Sequence, residues 1–354
     1  MRRGPYPNFN AVSIIHISPI ITLGLMTKSC TFPIVQQKSI NVIVTCTNRK
    51  RGIPAPEAQL RSIKDKDLPT RLFRWTTALT IQNKEHAPAL NLYIGNYWSV
   101  VREMVENTEE FGHVRFWVIS AGFGLIPIER SICPYAATFS NSQPDSVLPD
   151  KPGRFTLEDW WTGLSHWHKS QEQQISCLAD LAKAFPSEPL IVSLSPEYLT
   201  AVYRDLYTAR EFLHNPNRLV IISSGSGKKG PLKNNFLPCD ARMEHIVGVS
   251  RMALNARIIR HVLKNNPAQE MQANVLEKKY TDLLRNLPSA NYPVREASTD
   301  NEVLTFIRES LLNGLPASSG RLLRIYRDSG KACEQSRFRN LFLQIQESLS
   351  SKTV

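Results

Sequence analysis

The chain has 354 residues, 42% hydrophobic and 21% charged, and its 43 Lys+Arg against 31 Asp+Glu give a formal net charge of +12. This composition excludes a disordered or fibrous protein, and the length allows one large core or two smaller ones, since single cores stop growing near roughly 250–300 residues. Apolar runs stay well short of the roughly 18–20 residues that span a bilayer, so we expect no membrane-spanning helix.

The cysteine pattern indicates the compartment of the protein, and the net charge indicates its partners. Six cysteines are spread singly, without a C-x-x-C pair, at Cys30, Cys46, Cys133, Cys177, Cys239 and Cys333. This pattern is typical of a reducing compartment, so we expect a cytoplasmic protein without disulfides, metal or cofactor. The positive charge favours nucleic acid as the partner, and a merely basic soluble enzyme stays open as the alternative.

The first 30 residues share some features of a secretory signal peptide. Arg2 and Arg3 precede a weakly apolar stretch, but polar residues and a proline interrupt it and no small-residue cleavage site follows. We therefore expect residues 1–30 to be a disordered tail or an over-extended start.

The next 218 positions, residues 31–248, alternate between short β-branched runs and stretches with helical spacing. Buried strands are predicted at 40–46, 92–94, 116–120, 190–194 and 219–223, and helices at 98–106 and 171–184. This alternation predicts an α/β domain with a largely parallel or mixed sheet.

From residue 249 to 354 the strand pattern disappears, and the sequence predicts a helical, basic C-terminal region. After a first amphipathic helix, helices are predicted at 269–287, 301–312, 319–328 and 331–349. Arginines surround the turn at 328–330, and we assign Arg324 and Arg337 to phosphates of a nucleic-acid backbone. A helix-turn-helix module and a solvated helical pair that caps the sheet domain are both compatible with this pattern.

The densest group of reactive residues follows the first predicted strand. Cys46 is followed by Asn48, Arg49, Lys50 and Arg51, at the end of a strand where open α/β sheets bind ligands. Cations beside a thiol favour the thiolate, which attacks electrophilic carbon. Cys46, Lys50 and Asn48 are therefore candidate catalytic residues, and Arg49 and Arg51 candidate backbone contacts. The alternative is a buried strand-end cysteine followed by a solvated basic loop.

A second group follows the predicted strand at 116–120. Ser120, Gly122 and Gly124 open a turn whose backbone amides would suit an anion or a base edge, although a tight strand-to-helix turn without a ligand explains the same letters. Aromatic side chains stack on extruded bases, so we add Tyr135 and Trp161 as candidate base-binding residues.

Two further patterns are weaker evidence of a binding site. The stretch 224–230 lacks the first glycine and the Ser/Thr of a Walker loop, although Lys228 and Lys229 would still contact phosphate. His166 and His168 lack acidic or thiol partners at usable spacing, so a metal site is not expected there.

Short motifs resemble those of the YaaA-like superfamily, a domain of unknown function. They lie in the shared order, within residues 40–265, at 120–127 followed by Pro134-Tyr135, at 195–198 followed by Ala201-Val202, and at 255–257. Ala136, Asn255 and Ile258 stand where the superfamily has Arg, Lys and Gly. The resemblance implies a YaaA-like α/β domain, and Arg257 is its candidate contact to a nucleic-acid backbone.

Cys46 and Lys50 also resemble the C-x3-K motif of the archaeosine synthase core domain, which acts on the nitrile of 7-cyano-7-deazaguanine in RNA. DpdC-type proteins, which carry a YaaA-like domain, are associated with conversion of that cyano base to the carboxamide in DNA. The resemblance implies a DNA-modifying enzyme of a restriction-modification or defence system, with a transglycosylase-type complex as partner. The alternative is a non-catalytic DNA-binding protein of stress response or phage defence.

Overall fold

A mixed sheet forms the centre of this computed structural model, which describes residues 39–81, 86–149, 155–223, 230–248, 253–288, 295–315 and 318–350. In these ranges the strands are β1 (Ile40–Thr45), β2 (Ala87–Pro88), β3 (Val114–Ser120), β4 (Gly124–Pro127), β5 (Ser131–Ile132), β6 (Leu190–Leu194), β7 (Leu219–Ser223), β8 (Glu296–Ala297) and β9 (Lys331–Ala332). Five of them, in the order β4-β3-β1-β6-β7, make the central sheet of the described chain. The predicted α/β class with a largely parallel or mixed sheet is confirmed.

Helices cover the faces of this sheet, and the last helices of the chain pack against one another in a separate cluster. The longer ones are α1 (Leu68–Thr80), α3 (Asn96–Glu106), α4 (Leu157–Ser170), α5 (Leu178–Ala184), α6 (Pro196–Phe212), α8 (Leu254–Asn265), α9 (Ala273–Arg285), α10 (Asp300–Leu312), α11 (Ser319–Asp328) and α12 (Gln335–Ser350). The single-turn helices are α2 (Ala89–Leu92) and α7 (Glu244–Val247).

Strand β1 is central because its side chains are apolar on both faces. Val42, Ile43 and Val44 are fully buried, as expected of a parallel strand covered by helices on either side. β1 pairs in parallel with β3 on one side and with β6 on the other, and β6 pairs in parallel with β7. The chain thus proceeds from β1 to β3 in one direction and from β6 to β7 in the other. The crevice between the carboxyl ends of β1 and β6 is therefore the topological switch point, where open α/β sheets bind ligands.

Several local predictions are wrong. The helix predicted at 171–184 forms only over Leu178–Ala184, and the helix predicted at 331–349 begins at Gln335, after β9. The segment at 92–94 is not a strand, because α2 ends at Leu92 and only Tyr93 forms an isolated bridge, to Lys50. An apolar run this short is long enough for one bridge but not for a strand. The turn after β3 leads into an antiparallel strand, β4, rather than into a helix.

The boundary between the two hydrophobic clusters lies after residue 284, later along the chain than the boundary at residue 248 that the sequence pattern predicts. The described residues belong to one unit, Lys38–Val354. Helices α8 and α9 contribute Ile259 and Leu276 to the core of the sheet, whereas residues between 303 and 345 form a separate apolar cluster around Phe338. Within the described ranges, no helix is long and apolar enough to cross a membrane.

Candidate functional site

Cys46 lies at the carboxyl end of β1, beside the switch point. Its backbone N–H donates to the carbonyl of Ile119 over 3.0 Å, which extends the β1–β3 ladder by one residue, and its side chain is buried at 5% exposure. Its Sγ lies 2.9 Å from the hydroxyl of Tyr198, which belongs to the first turn of α6. Because α6 follows β6, this thiol–hydroxyl contact bridges the crevice between β1 and β6.

Lys50 reaches back over the loop that leaves β1. Its Nζ donates to the carbonyl of Thr47 over 2.8 Å and lies 4.0 Å from the ring centre of Tyr135. Burial lowers the pKa of Lys50 to about 8, although its neighbours Cys46 and Asp145 oppose the shift. An ammonium whose pKa lies this close to neutrality is suited to give up and regain a proton.

A chain of hydroxyl groups runs beneath Lys50. The hydroxyl of Tyr135 lies 2.8 Å from that of Tyr93 and 2.7 Å from Oγ of Ser120. Burial raises the pKa of Tyr93, Tyr135 and Tyr198 well above the ordinary value, so these phenols stay protonated. They are hydrogen-bond donors and not bases.

The glycine turn has a different role from the one predicted. Oγ of Ser120 accepts from the N–H groups of Gly122, over 3.2 Å, and of Phe123, over 2.9 Å. The prediction that these amides hold an anion or a base edge is therefore wrong in this conformation, because the serine hydroxyl occupies them. A Cβ at Gly122 would lie 2.5 Å from Cε2 of Tyr135, so the glycine makes room for that ring. Gly124 adopts a φ of +69°, which glycine accommodates without strain.

Three buried side chains hold this turn from below. The indole N–H of Trp75 donates to the carbonyl of Gly122 over 2.8 Å, and that of Trp160 donates to the carbonyl of Ala121 over 2.9 Å. Nε2 of His168 donates to the carbonyl of Phe123, and its Nδ1 accepts from Arg130 over 3.3 Å. Burial lowers the pKa of His168 to about 4, so the imidazole is neutral and donates from Nε2.

The two predicted stacking residues do not offer free faces. Tyr135 is 1% exposed, and Lys50 covers its ring. Trp161 belongs to a different cluster, where its indole donates to Asp205 over 2.9 Å. Both predictions of base stacking are therefore corrected: Tyr135 supports Lys50, and Trp161 is a core residue between α4 and α6.

The predicted phosphate contacts are dispersed. Asn48, Arg49 and Arg51 are exposed on the loop after β1, close to Cys46 in sequence. Arg257 donates to the carbonyl of Val247 over 3.2 Å on α8. In the C-terminal helices Arg324 is exposed and Arg337 pairs with Asp300, while Lys228 and Lys229 lie outside the described residues.

Sequence reasoning assigned no role to Tyr198, although it lies in one of the motifs noted above. Its partner Cys46 is 152 positions away, and only the pairing of β1 with β6 brings them together. Tyr93 lies within the stretch predicted as a strand at 92–94, and its bridge to Lys50 gives it a place in the site. The available signal was that Tyr93 lies in a predicted strand and that Tyr198 closely follows one.

No group of His, Cys, Asp and Glu side chains that could hold a metal ion occurs among the described residues. In comparisons with known proteins, no family model, no curated protein and no solved structure matches this chain. Fold and site together define an α/β protein with a thiol, a lysine and tyrosine hydroxyls at its topological switch point. Membership in the YaaA-like superfamily stays a prediction.

Proposed function

We propose that the protein hydrates the 7-cyano group of a 7-deazaguanine base in DNA to the 7-carboxamide, as a YaaA-like, DpdC-type enzyme. The observation that carries the proposal is the contact of 2.9 Å between Sγ of Cys46 and the hydroxyl of Tyr198 at the switch point, with the buried Lys50 ammonium on the loop that follows Cys46. A nitrile carbon needs a nucleophile and its nitrogen needs a proton donor, and these are the groups assembled here.

In the first step Cys46 adds to the nitrile. The Lys50 amine takes the thiol proton, an S–C bond forms, and one π pair of the C≡N bond moves to nitrogen. The Lys50 ammonium then gives its proton to that nitrogen, which leaves a thioimidate. The Tyr198 hydroxyl, kept protonated by burial, donates to sulfur and orients it.

In the second step water adds to the thioimidate carbon. The Lys50 amine takes a proton from the water and passes it to nitrogen, which becomes NH2. The C–S bond then breaks, the electron pair returns to sulfur, the new hydroxyl becomes the carbonyl oxygen, and its proton returns to the enzyme. The sum is addition of one water, without loss of ammonia. In an alternative route water attacks directly, and Cys46 is only structural.

DNA would reach this site at the exposed loop after β1. Arg49 and Arg51 are exposed there and would contact backbone phosphates, which position a duplex without reading it. Asn48, exposed on the same loop, offers an amide to the flipped base or to the attacking water. A transglycosylase-type partner would supply the cyano base.

The test is nucleoside mass spectrometry after incubation of the protein with DNA that contains 7-cyano-7-deazaguanine. We expect the carboxamide nucleoside with the wild type and none with Cys46→Ala. Unchanged turnover in Cys46→Ala eliminates the covalent route in favour of direct water attack, and absence of amide with wild-type protein overturns the proposed function.

The second candidate is a non-catalytic DNA-binding protein. The observation that favours it is the set of exposed arginines on α11 and α12, Arg321, Arg324 and Arg339. Under this alternative, wild-type protein binds duplex with a steep salt dependence and leaves the cyano base unchanged.

A further inference from the structure

A pocket open to solvent lies in the C-terminal helices, where β8 and β9 pair, away from Cys46. Its volume is about 420 Å³. In the described chain its charged lining consists of three arginines and one glutamate: Arg295, Arg327, Arg337 and Glu334. Such a surplus of guanidinium groups around one space is typical of an anion site.

Three chain segments bring the arginines together. Arg295 directly precedes β8, Arg327 lies in the last turn of α11, and Arg337 lies in the first turn of α12. The parallel pairing of β8 with β9 fixes the first segment against the other two. Cys333, which also lines the cavity, belongs to the apolar cluster of these helices, so the cavity rests on a packed base.

Internal hydrogen bonds orient two of the arginines. Nε of Arg295 donates to the carbonyl of Arg327 over 2.8 Å, and Nη2 of Arg327 donates to the carbonyl of Cys333 over 2.8 Å. A guanidinium has five N–H donors in a planar fork, so each side chain is held at one edge and keeps further donors for a ligand. This is preorganisation for a planar or tetrahedral oxyanion.

The opposing charges are also clear. Nε of Arg337 donates to Asp300 over 2.7 Å, and Glu334 accepts from the backbone N–H of Arg337 over 2.8 Å. These carboxylates hold Arg337 in place and reduce the positive potential of the cavity. Arg295 and Arg327 therefore supply most of the attraction for an anion.

We propose that this cavity binds a phosphate group. The pocket is open to solvent on one side, so it admits a phosphate that belongs to a larger molecule. The neighbouring face of α12 exposes Gln335, Arg339 and Asn340, side chains that hydrogen-bond to base edges, and this favours the backbone of nucleic acid as the source. The inference stands apart from the chemistry proposed for Cys46.

The test compares full-length variants by fluorescence anisotropy with a labelled duplex of random sequence, across a salt series. Arg295→Gln weakens binding by roughly three- to tenfold and lowers the salt slope by about 1, as expected for a lost phosphate contact. Arg204→Gln is the matched control, because it removes the same charge from an 85% exposed side chain on α6 and leaves the affinity unchanged.

A variant that is expected to tighten duplex binding separates a binding role of the arginines from a structural one. Asp300→Asn frees Arg337 and tightens duplex binding by about two- to fivefold, while Asp282→Asn, at an exposed position on α9, does not. A merely structural role for the cluster predicts weaker binding for both Arg295→Gln and Asp300→Asn, and that result overturns the proposal.

A second arm identifies the source of the phosphate. Inorganic phosphate is titrated against wild type and Arg295→Gln, with thermal unfolding as the readout. An Arg295-dependent effect on the duplex assigns the site to a nucleic-acid backbone, and an Arg295-dependent thermal shift alone assigns it to a small phosphate compound. No Arg295-dependent effect in either arm overturns the proposal. Neither arm contains the cyano base, so failure of this proposal and failure of the catalytic proposal are separate outcomes.

Discussion

Two cysteines of the α/β part lie in opposite electrostatic surroundings. Cys46 contacts a tyrosine hydroxyl and interacts with the Lys50 ammonium. Cys177, the residue before α5, lies beside Asp205 and Asp180, and burial together with these carboxylates raises the pKa of its thiol to about 12. Carboxylates beside a thiol oppose formation of the thiolate, whereas the groups beside Cys46 are a hydroxyl and a lysine.

The acidic cluster around Cys177 has a structural purpose. Asp205 accepts from the backbone N–H groups of Leu178, over 2.8 Å, and Ala179, over 3.0 Å, and from the indole of Trp161. It thus satisfies the free amides at the start of α5, where a negative charge is favourable. One cluster fixes a helix, and the other places a thiol beside a tyrosine hydroxyl and near a buried lysine.

The largest expected effect separates the two thiols. Cys46→Ala lowers amide formation by about 10³-fold or more, because the nucleophile is lost, whereas Cys177→Ala leaves the rate within about twofold. Steady-state turnover of cyano-modified DNA measures both. Equal losses in the two variants would show that the loss comes from folding and not from chemistry.

The next effect concerns the proton carrier. Since the pKa of Lys50 is about 8 and its amine takes the thiol proton in the first step, the wild-type rate rises with pH until the amine form predominates, above about pH 8. Lys50→Gln lowers the rate about 10²-fold at neutral pH and abolishes that rise. Lys50→Arg stays protonated to higher pH, so its residual activity shows no rise near pH 8. A wild-type profile that is flat from pH 7 to 9 contradicts this role.

A third effect concerns the pH dependence of stability, which differs between His168, beneath the glycine turn, and Asp205, beside Cys177. The folded-state pKa of His168 is about 4 against 6.5 for the free side chain, so the unfolded chain binds the extra proton first. Stability from this group is fully present above pH 6.5 and is lost as the pH falls toward 4, by about 3 kcal/mol. Denaturant unfolding at pH 7 and pH 4 measures the loss, and His168→Gln removes this component.

Asp205→Asn is the control for that experiment. Burial raises the pKa of Asp205, so its proton linkage has the opposite sign, and the variant retains the acid loss that belongs to His168. If His168→Gln loses as much stability between pH 7 and pH 4 as the wild type, the assignment to this imidazole fails.

The smallest effect is steric. Gly122→Ala places a methyl group against the Tyr135 ring and destabilises the fold by about 1–3 kcal/mol, with a loss of activity, since that ring supports Lys50. Gly320→Ala on α11, where no atom lies within 4 Å of the added Cβ, is neutral or stabilises by up to about 1 kcal/mol. Thermal unfolding measures both. A Gly122→Ala variant as stable and active as the wild type would refute the close packing.

The sequence predicted the parts of this site that depend on local pattern. The apolar run of β1 placed Cys46 at the end of a buried strand, and the same reasoning placed Ser120 at the end of β3. It could not predict that Oγ of Ser120 occupies the amides of the turn, because a short polar side chain gives no periodic signal.

Helix rotation and long-range pairing account for the rest. Trp160 and Trp161 are adjacent, and a step of one residue along α4 directs the first to the turn after β3 and the second to Asp205. Nothing in two neighbouring tryptophans tells which one faces the sheet. Tyr198 likewise depends on the order of strands, which no local pattern encodes.

The most direct test of the covalent claim is the mass of the protein during turnover. Wild-type protein is mixed with a cyano-deazaguanine oligonucleotide, quenched with acid within seconds, digested and mapped by mass spectrometry. Addition to a nitrile releases no leaving group, so we expect a peptide containing Cys46 that carries the whole mass of the modified nucleoside or its fragment, and no such adduct at Cys177. Full conversion to the carboxamide with Cys46 unmodified at every quench time, and undiminished in Cys46→Ala, would contradict it.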